Sequence, residues 1–204
     1  SRKEYSSSYR KGGIFIKSIY KMYQGMHSGN QKLQCVVCHQ TIHQNQLLIS
    51  FIQKVNVCVD CLSTLKQINQ VVKIENITVC ILYEYNDAFR SLLYRYKANY
   101  DLELKHVFLT SHLIELKRKY RKYVVIPAPS SSLSNQKRGF KPMLEIAKEL
   151  GLKVIDCLYK VDEYKQSDQK YNNRKEVKDH IQILDFDLSK YAVLFIDDVA
   201  TSNH

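Results

Sequence analysis

No long hydrophobic run exists anywhere in this sequence. No stretch approaches the roughly 18 apolar residues that a membrane-crossing helix needs. Near the N-terminus the apolar piece Ile14-Phe15-Ile16 is too short to be the core of a secretory signal. A cytoplasmic protein is therefore expected. Acids are scarce as well: 20 Asp and Glu stand against 31 Lys and Arg, a formal charge of +11. That imbalance favours polyanionic partners, whether nucleic acid, phosphorylated metabolites or an anionic surface, and contacts of this kind weaken with salt. Internal repeats are absent, and so is a secreted disulfide framework. Four of the six cysteines form two C-x-x-C pairs, a metal arrangement typical of a reducing compartment. Cys80 and Cys157 stand alone in the apolar runs ITVCILYEY and KVIDCLYK, where a free cysteine is expected to pack as a small inert hydrophobe.

What is present suits one ordinary domain and a small module. The 204 residues can bury a real core, and 45% apolar with 25% charged residues is the usual balance of a globular protein. Residues 1–32 are a basic leader with seven Lys or Arg and a single acid, Glu4. Within it Ile16, Ile19, Tyr20, Tyr23 and Met26 fall at helical spacing, so the leader reads as a partly ordered extension, a docking helix or a nucleic-acid arm.

Residues 33–66 form the cysteine module. Cys35 and Cys38, then nineteen residues, then Cys58 and Cys61, bring four thiolates into one tetrahedral shell. A shell of four sulfurs leaves no position for water, so the expected ion is a structural zinc. Leu47, Leu48, Ile49, Phe51 and Ile52 can make a small hairpin core, too small to hold itself without metal. His39 and His43 are the alternative ligands.

Residues 77–204 read as an α/β domain. Ile77–Tyr85 is rich in β-branched and aromatic residues and predicts a strand. Asn86 or Asp87 can cap a helix that carries Phe89, Leu92, Leu93 and Tyr96 on one face. A second helix is predicted from Asp101, striped by Leu109, Leu113, Leu116 and Tyr120, with Lys117, Arg118, Lys119, Arg121 and Lys122 at its negative pole. Tyr123–Ile126 is a short strand ended by Pro127-Ala128-Pro129 and a polar loop. Pro142 then opens a helix bearing Met143, Leu144, Ala147 and Leu150, stopped by Gly151. Strands are predicted at Val154–Leu158 and Tyr191–Ile196. Continuous apolar strands alternating with helices imply a parallel sheet covered on both faces.

The last strand ends in Asp197-Asp198. The carboxyl edge of a parallel sheet is where such folds bind ligands. Paired acids there can accept hydrogen bonds from vicinal sugar hydroxyls or hold Mg²⁺, and the small residues that follow can cradle a phosphate. Solvated carboxylates closing a strand are the plainer reading. The segment 160–178 mixes lysines, amides and two tyrosines, as a solvated loop, an active-site hood or a nucleic-acid contact would. In the last case Tyr164 and Tyr171 would stack on bases, with Lys137, Arg138 and Lys141 extending the positive surface.

VLFIDDVATS is similar to the phosphoribosyl-pyrophosphate (PRPP) loop of type I phosphoribosyltransferases. The cysteine module, VVIPAP leading to KRGF, and Gln166 followed by Asn173-Arg174 appear in an order that resembles the ComF family of bacterial competence proteins, over about residues 33–204. The resemblance implies a phosphoribosyltransferase-like α/β fold behind a zinc module. It implies that Asp197 and Asp198 contact the ribose hydroxyls of PRPP, that Thr201 and Ser202 approach its 5′-phosphate, and that 127–132 and Arg138 face the pyrophosphate. Gln166 and Arg174 would sit on the mobile hood, and Mg²⁺ would accompany PRPP. The implied role is accessory to the uptake of transforming DNA, with single-stranded DNA and the import helicase as partners. Two departures stand out. Arg138-Gly139-Phe140-Lys141-Pro142 replaces the family's Arg-Gly-Phe-Asn-Gln, and Asn203 occupies the place of the loop's glycine, one residue before the terminal His204. The expectation is a chain that binds PRPP poorly or not at all. An active phosphoribosyltransferase of nucleotide salvage, or a truncated product without activity, are the alternatives.

Overall fold

The computed structural model describes residues 33–42, 56–160, 181–184 and 186–200. After a knuckle at 33–42 come α1 (Val59–Ser63), β1 (Gln67–Ile74), β2 (Ile77–Tyr83) and α2 (Asp87–Ala98). A 3₁₀ turn (Leu102–Leu104), α3 (Lys105–Leu109), α4 (Leu113–Lys119), β3 (Tyr123–Pro127), α5 (Ser132–Arg138) and α6 (Pro142–Glu149) follow. The last elements are β4 (Leu158–Lys160), β5 (Ile181–Ile183) and β6 (Ala192–Ile196). It is a mixed α/β fold with parallel strand pairing.

Local chemistry accounts for most boundaries. Asn86 caps α2 by accepting the Phe89 N–H, and the buried face is Phe89, Leu92, Leu93 and Tyr96, as the periodicity predicts. Pro142 opens α6, whose chain then turns at Gly151 with φ +61. The predicted strand before α2 spans Ile77–Tyr83 and pairs antiparallel with β1, a strand the sequence reading did not assign. The two meet at a turn where Glu75 has φ +52, and the register shifts between Gln67 and Gln70, where Asn69 has φ +47.

At the centre, β3 pairs in parallel with β6, from Tyr123↔Ala192 to Pro127↔Ile196. On its other side β3 meets Val154 through one parallel bridge, with Val125 N–H donating to Lys153 O at 2.8 Å and Ile155 N–H to Val125 O at 2.9 Å. Three expectations are corrected here. The predicted strand Val154–Leu158 is only that bridge; from Leu158 the chain turns away and pairs antiparallel with β5. The polar loop after Pro129 contains α5, capped by Ser131 and ended by Gly139 at φ +80. The sheet is not covered on both faces throughout. Val124, Val125 and Ile126 of β3 are buried, but Val193 and Phe195 of β6 are 39% and 53% exposed. Leu194 and Ile196 pack towards Val125, Ala147 and Leu150, whereas no described element lies over Phe195.

The single helix predicted from Asp101 is also broken. It divides at 110–112, where Thr110 and His112 are buried and the Thr110 hydroxyl donates to the His106 carbonyl. Such back-bonding bends helices. The break lets the His112 ring meet Tyr83 edge-on, with centroids 5.1 Å apart.

One core runs beneath both the cysteine knuckle and the α/β elements. Cys35, Ile42, Val57, Cys58, Leu62 and Leu65 share a cluster with Phe89, Tyr96, Phe108, Met143 and Ile146. Within it Phe89, Phe108, Tyr96 and Phe140 form a chain of ring contacts at 5.9, 5.2 and 5.3 Å. Among the described residues no helix is long and apolar enough to cross a membrane. Cys157 is buried as expected, while Cys80 is half-buried, with its sulfur 3.8 Å from the Tyr120 hydroxyl.

Candidate functional site

The first cysteine pair sits on a tight knuckle. Cys35 N–H donates to Gln40 O at 2.9 Å, His39 N–H to Cys35 O at 2.8 Å, and an antiparallel bridge joins Gln34 to Thr41. His39 takes φ +61 to close it. The second pair stands at the start of α1, where Cys58 is the N-cap and its sulfur accepts the Cys61 N–H at 3.4 Å. The four sulfurs of Cys35, Cys38, Cys58 and Cys61 lie within 4.8 Å of one another, and all are free thiols.

This set fits a metal ion such as zinc. Four sulfurs about 2.3 Å from a tetrahedral zinc stand roughly 3.8 Å apart, and Cys38 Sγ is 3.8 Å from Cys58 Sγ. Backbone N–H groups of Val37 and Cys58 point at Cys35 Sγ, at 3.4 and 3.3 Å, as the outer shell of a thiolate site does. Burial pushes the Cys35 thiol up, but backbone N–H groups, Cys38 first and then Cys58 and Val37, with the Cys38 thiol, outweigh it and bring it to about 7. Burial raises Cys58 and Cys61. A dication at the centre would stabilise all four thiolates together. His39 is exposed and stands outside the cluster; His43 and the hairpin core from Leu47 to Ile52 lie outside the described residues.

The acid pair follows β6 at the carboxyl edge of the parallel strands. Asp198 N–H donates to Asp197 Oδ1 at 2.8 Å. Lys97, from the last turn of α2, donates its ammonium to Asp198 Oδ2, with side-chain exposures of 33% and 15%. Arg138 Nε donates to the Lys97 carbonyl at 2.8 Å, and its guanidinium lies 5.8 Å from the Phe140 ring centre. Arg138 Nη1 is buried with no hydrogen-bond partner among the described residues. The loop after β3 is drawn alongside by Ala128 N–H donating to Ile196 O at 2.9 Å. Burial, followed by the neighbouring Asp198, pushes Asp197 up to about 6. Burial also pushes Asp198 up, but its hydrogen bonds with Asp197 and Lys97 outweigh that and hold it below the usual carboxylate range. Asp198 therefore ionises before Asp197 and holds its charge against the ammonium.

The acid pair does not fit a Mg²⁺ ion. One oxygen of Asp198 is taken by an ammonium and one of Asp197 by a backbone N–H, whereas Mg²⁺ demands near-octahedral oxygen ligands. Other predicted residues are scattered. Lys137 is exposed in the last turn of α5, and Lys141 pairs with Asp156 at 2.6 Å. Thr201, Ser202, Gln166, Arg174, Tyr164 and Tyr171 lie outside the described residues.

Sequence reasoning missed Arg95 and Lys97. Arg95 donates to Val37 O at 2.6 Å and Val36 O at 3.4 Å, inside the knuckle, and pairs with Asp101 at 3.1 Å. Tyr96 donates its hydroxyl to Pro142 O at 2.8 Å. Three consecutive residues of α2 thereby reach the cysteine knuckle, α6 and the acid pair. Helical periodicity marks Arg95 and Lys97 only as polar positions.

No family model matches the chain. The chain is 26% identical over 195 residues to the competence protein ComFC of Streptococcus pneumoniae, covering 83% of this chain and 88% of that protein. That similarity, together with the four-cysteine cluster, supports the resemblance to the ComF family first read from the motifs.

Proposed function

We propose that the chain is a ComF-type competence protein that supports the uptake of transforming DNA. The observation that carries this reading is the similarity to ComFC along 83% of the chain. In this reading Cys35, Cys38, Cys58 and Cys61 hold a structural zinc that takes no part in chemistry, because four thiolates complete its shell. The α/β part is a phosphoribosyltransferase-like domain. Support for this comes from the acid pair closing β6, the neighbouring loop after β3, and the unpartnered Nη1 of Arg138, a donor suited to a phosphate or pyrophosphate oxygen.

The sugar-phosphate pocket is degraded rather than active. Asp197, Asp198, Thr201, Ser202 and Arg138 would contact PRPP, with Gln166 and Arg174 on the hood, but Asn203 stands where the loop's glycine belongs. A Cβ there crowds the phosphate, so binding is weak. Any Mg²⁺ would arrive on the pyrophosphate of PRPP, since Lys97 already occupies Asp198 Oδ2 and a backbone N–H occupies Asp197 Oδ1. The partners are single-stranded DNA and the DNA-import helicase. Net charge of +11 favours the former, with Lys137, Lys141, Tyr164 and Tyr171 as contacts. Deleting the gene in its own host should lower transformation by donor DNA while leaving growth intact; unchanged transformation would overturn the proposal.

The position of the acid pair favours one second reading, an active phosphoribosyltransferase. Release of pyrophosphate from PRPP with any nucleobase by the full chain would establish it and would remove the claim of a degraded pocket.

A further inference from the structure

We infer that Lys97 is a built-in counter-cation that occupies the acid pair and keeps divalent metal ions out of it. The residue comes from an element remote in sequence from the acids, 101 positions before Asp198. It stands in the last turn of α2, at the negative pole of that helix, where an ammonium is favoured and a lone carboxylate would be repelled. Its ammonium holds Asp198 Oδ2, and both side chains are mostly shielded from water. Its carbonyl is held in turn by Arg138 Nε at 2.8 Å, so the backbone that carries Lys97 is anchored on the same side of the site. Asp197 is committed in a different way, with Oδ1 accepting the Asp198 N–H at 2.8 Å.

A divalent ion needs at least one carboxylate free to turn towards it and a site that is net negative. Here the Lys97 ammonium faces the pair, and the less exposed carboxylate, Asp198, is already paired with it. A lysine is a single point charge with three donors and cannot present the several open coordination positions of Mg²⁺. The pocket therefore meets a ligand with a fixed protein cation already on Asp198 Oδ2, and a hydroxylated ligand that needs that oxygen must displace Lys97. The inference concerns the same acid pair as the proposed sugar-phosphate pocket and rests on that reading for the ligand alone; its test needs no sugar phosphate, so the two can fail separately.

The test is Mn²⁺ binding followed by electron paramagnetic resonance on the full zinc-loaded chain. Mn²⁺ is the weakest of the divalent first-row ions and does not displace zinc from four thiolates. The wild type should bind no Mn²⁺ that depends on Asp198, so that wild type and Asp198→Asn give the same titration. Lys97→Gln should gain a site roughly tenfold or more tighter than any in the wild type, because a repelling charge is lost a few ångströms away. The gain should vanish in the Lys97→Gln, Asp198→Asn double variant, and Lys97→Arg should gain nothing. A wild-type site weakened by Asp198→Asn, or a Lys97→Gln variant that keeps its zinc and gains no Mn²⁺, would overturn the inference. Should Lys97→Gln fail to fold, Lys97→Met takes its place, and a wild-type site weakened by Asp198→Asn still overturns the inference.

Discussion

Replacing Arg95 with alanine should loosen the cysteine knuckle as well as lower global stability. The guanidinium donates to Val37 O at 2.6 Å, a residue between the two cysteines of the first pair, and to Asp101 at 3.1 Å, with side-chain exposures of 27% and 32%. A hydrogen bond to a charged donor contributes about 1.5–3 kcal/mol. The partly exposed ion pair adds about 0.5 kcal/mol. Alanine should therefore cost about 2–3.5 kcal/mol. If metal escapes when the knuckle lifts off α2, that cost raises the release rate by about 30- to 400-fold. The assay is transfer of zinc from the full chain to a coloured chelator in excess, alongside urea unfolding. The midpoint should fall by roughly 1 M at an ordinary slope for this size. Arg95→Lys should lie between, since one ammonium cannot fork across Val36, Val37 and Asp101. Unchanged zinc release in Arg95→Ala, with an unchanged urea midpoint, would refute the claim that this residue ties the knuckle down.

Two further outcomes are expected. Tyr96→Phe removes a fully buried hydroxyl from the Pro142 carbonyl and should lower stability by about 1–2 kcal/mol; urea midpoints equal to wild type would contradict this. His112 is buried, its Nε2 has no partner among the described residues, and burial holds its imidazole below the ordinary value. The folded state therefore keeps it neutral while the unfolded state takes up a proton near pH 6.5. Stability from this group is fully present above that pH and is lost as pH falls below it. Urea midpoints measured at pH 8 and pH 5.5 should accordingly fall less in His112→Leu than in wild type; an equal fall would show that His112 does not titrate on unfolding.

The sequence was most legible where the signal is local. Cys35, Cys38, Cys58 and Cys61 could be grouped from spacing alone, because each C-x-x-C turn sets two sulfurs side by side. The cap at Asn86 and the proline and glycine around α6 lie within one or two turns of the residues they bound. β1 escaped because Gln67, Asn69 and Gln70 are poor strand signals and the strand is mostly exposed. α5 could have been found: Ser131 before it and Gly139 after it are ordinary stop signs, obscured by the serine-rich run between Pro129 and Leu133. The break at Thr110 was illegible, since the ring that fills it, Tyr83, comes from a strand earlier in the chain. Lys97 and Arg95 were hidden for the same reason. Their partners lie 101 and 58 residues away, and no periodicity carries that distance.

The central claim is that a metal-filled cluster of four thiolates underlies the whole arrangement, with α2 resting on its knuckle and carrying Lys97 to the acid pair. Zinc content of the purified full chain, joined to X-ray absorption at the zinc edge, tests it most directly. The account predicts one zinc per chain with four sulfur neighbours at about 2.3 Å. A chain that folds with well under one zinc, or a shell containing nitrogen or oxygen in place of sulfur, would contradict it.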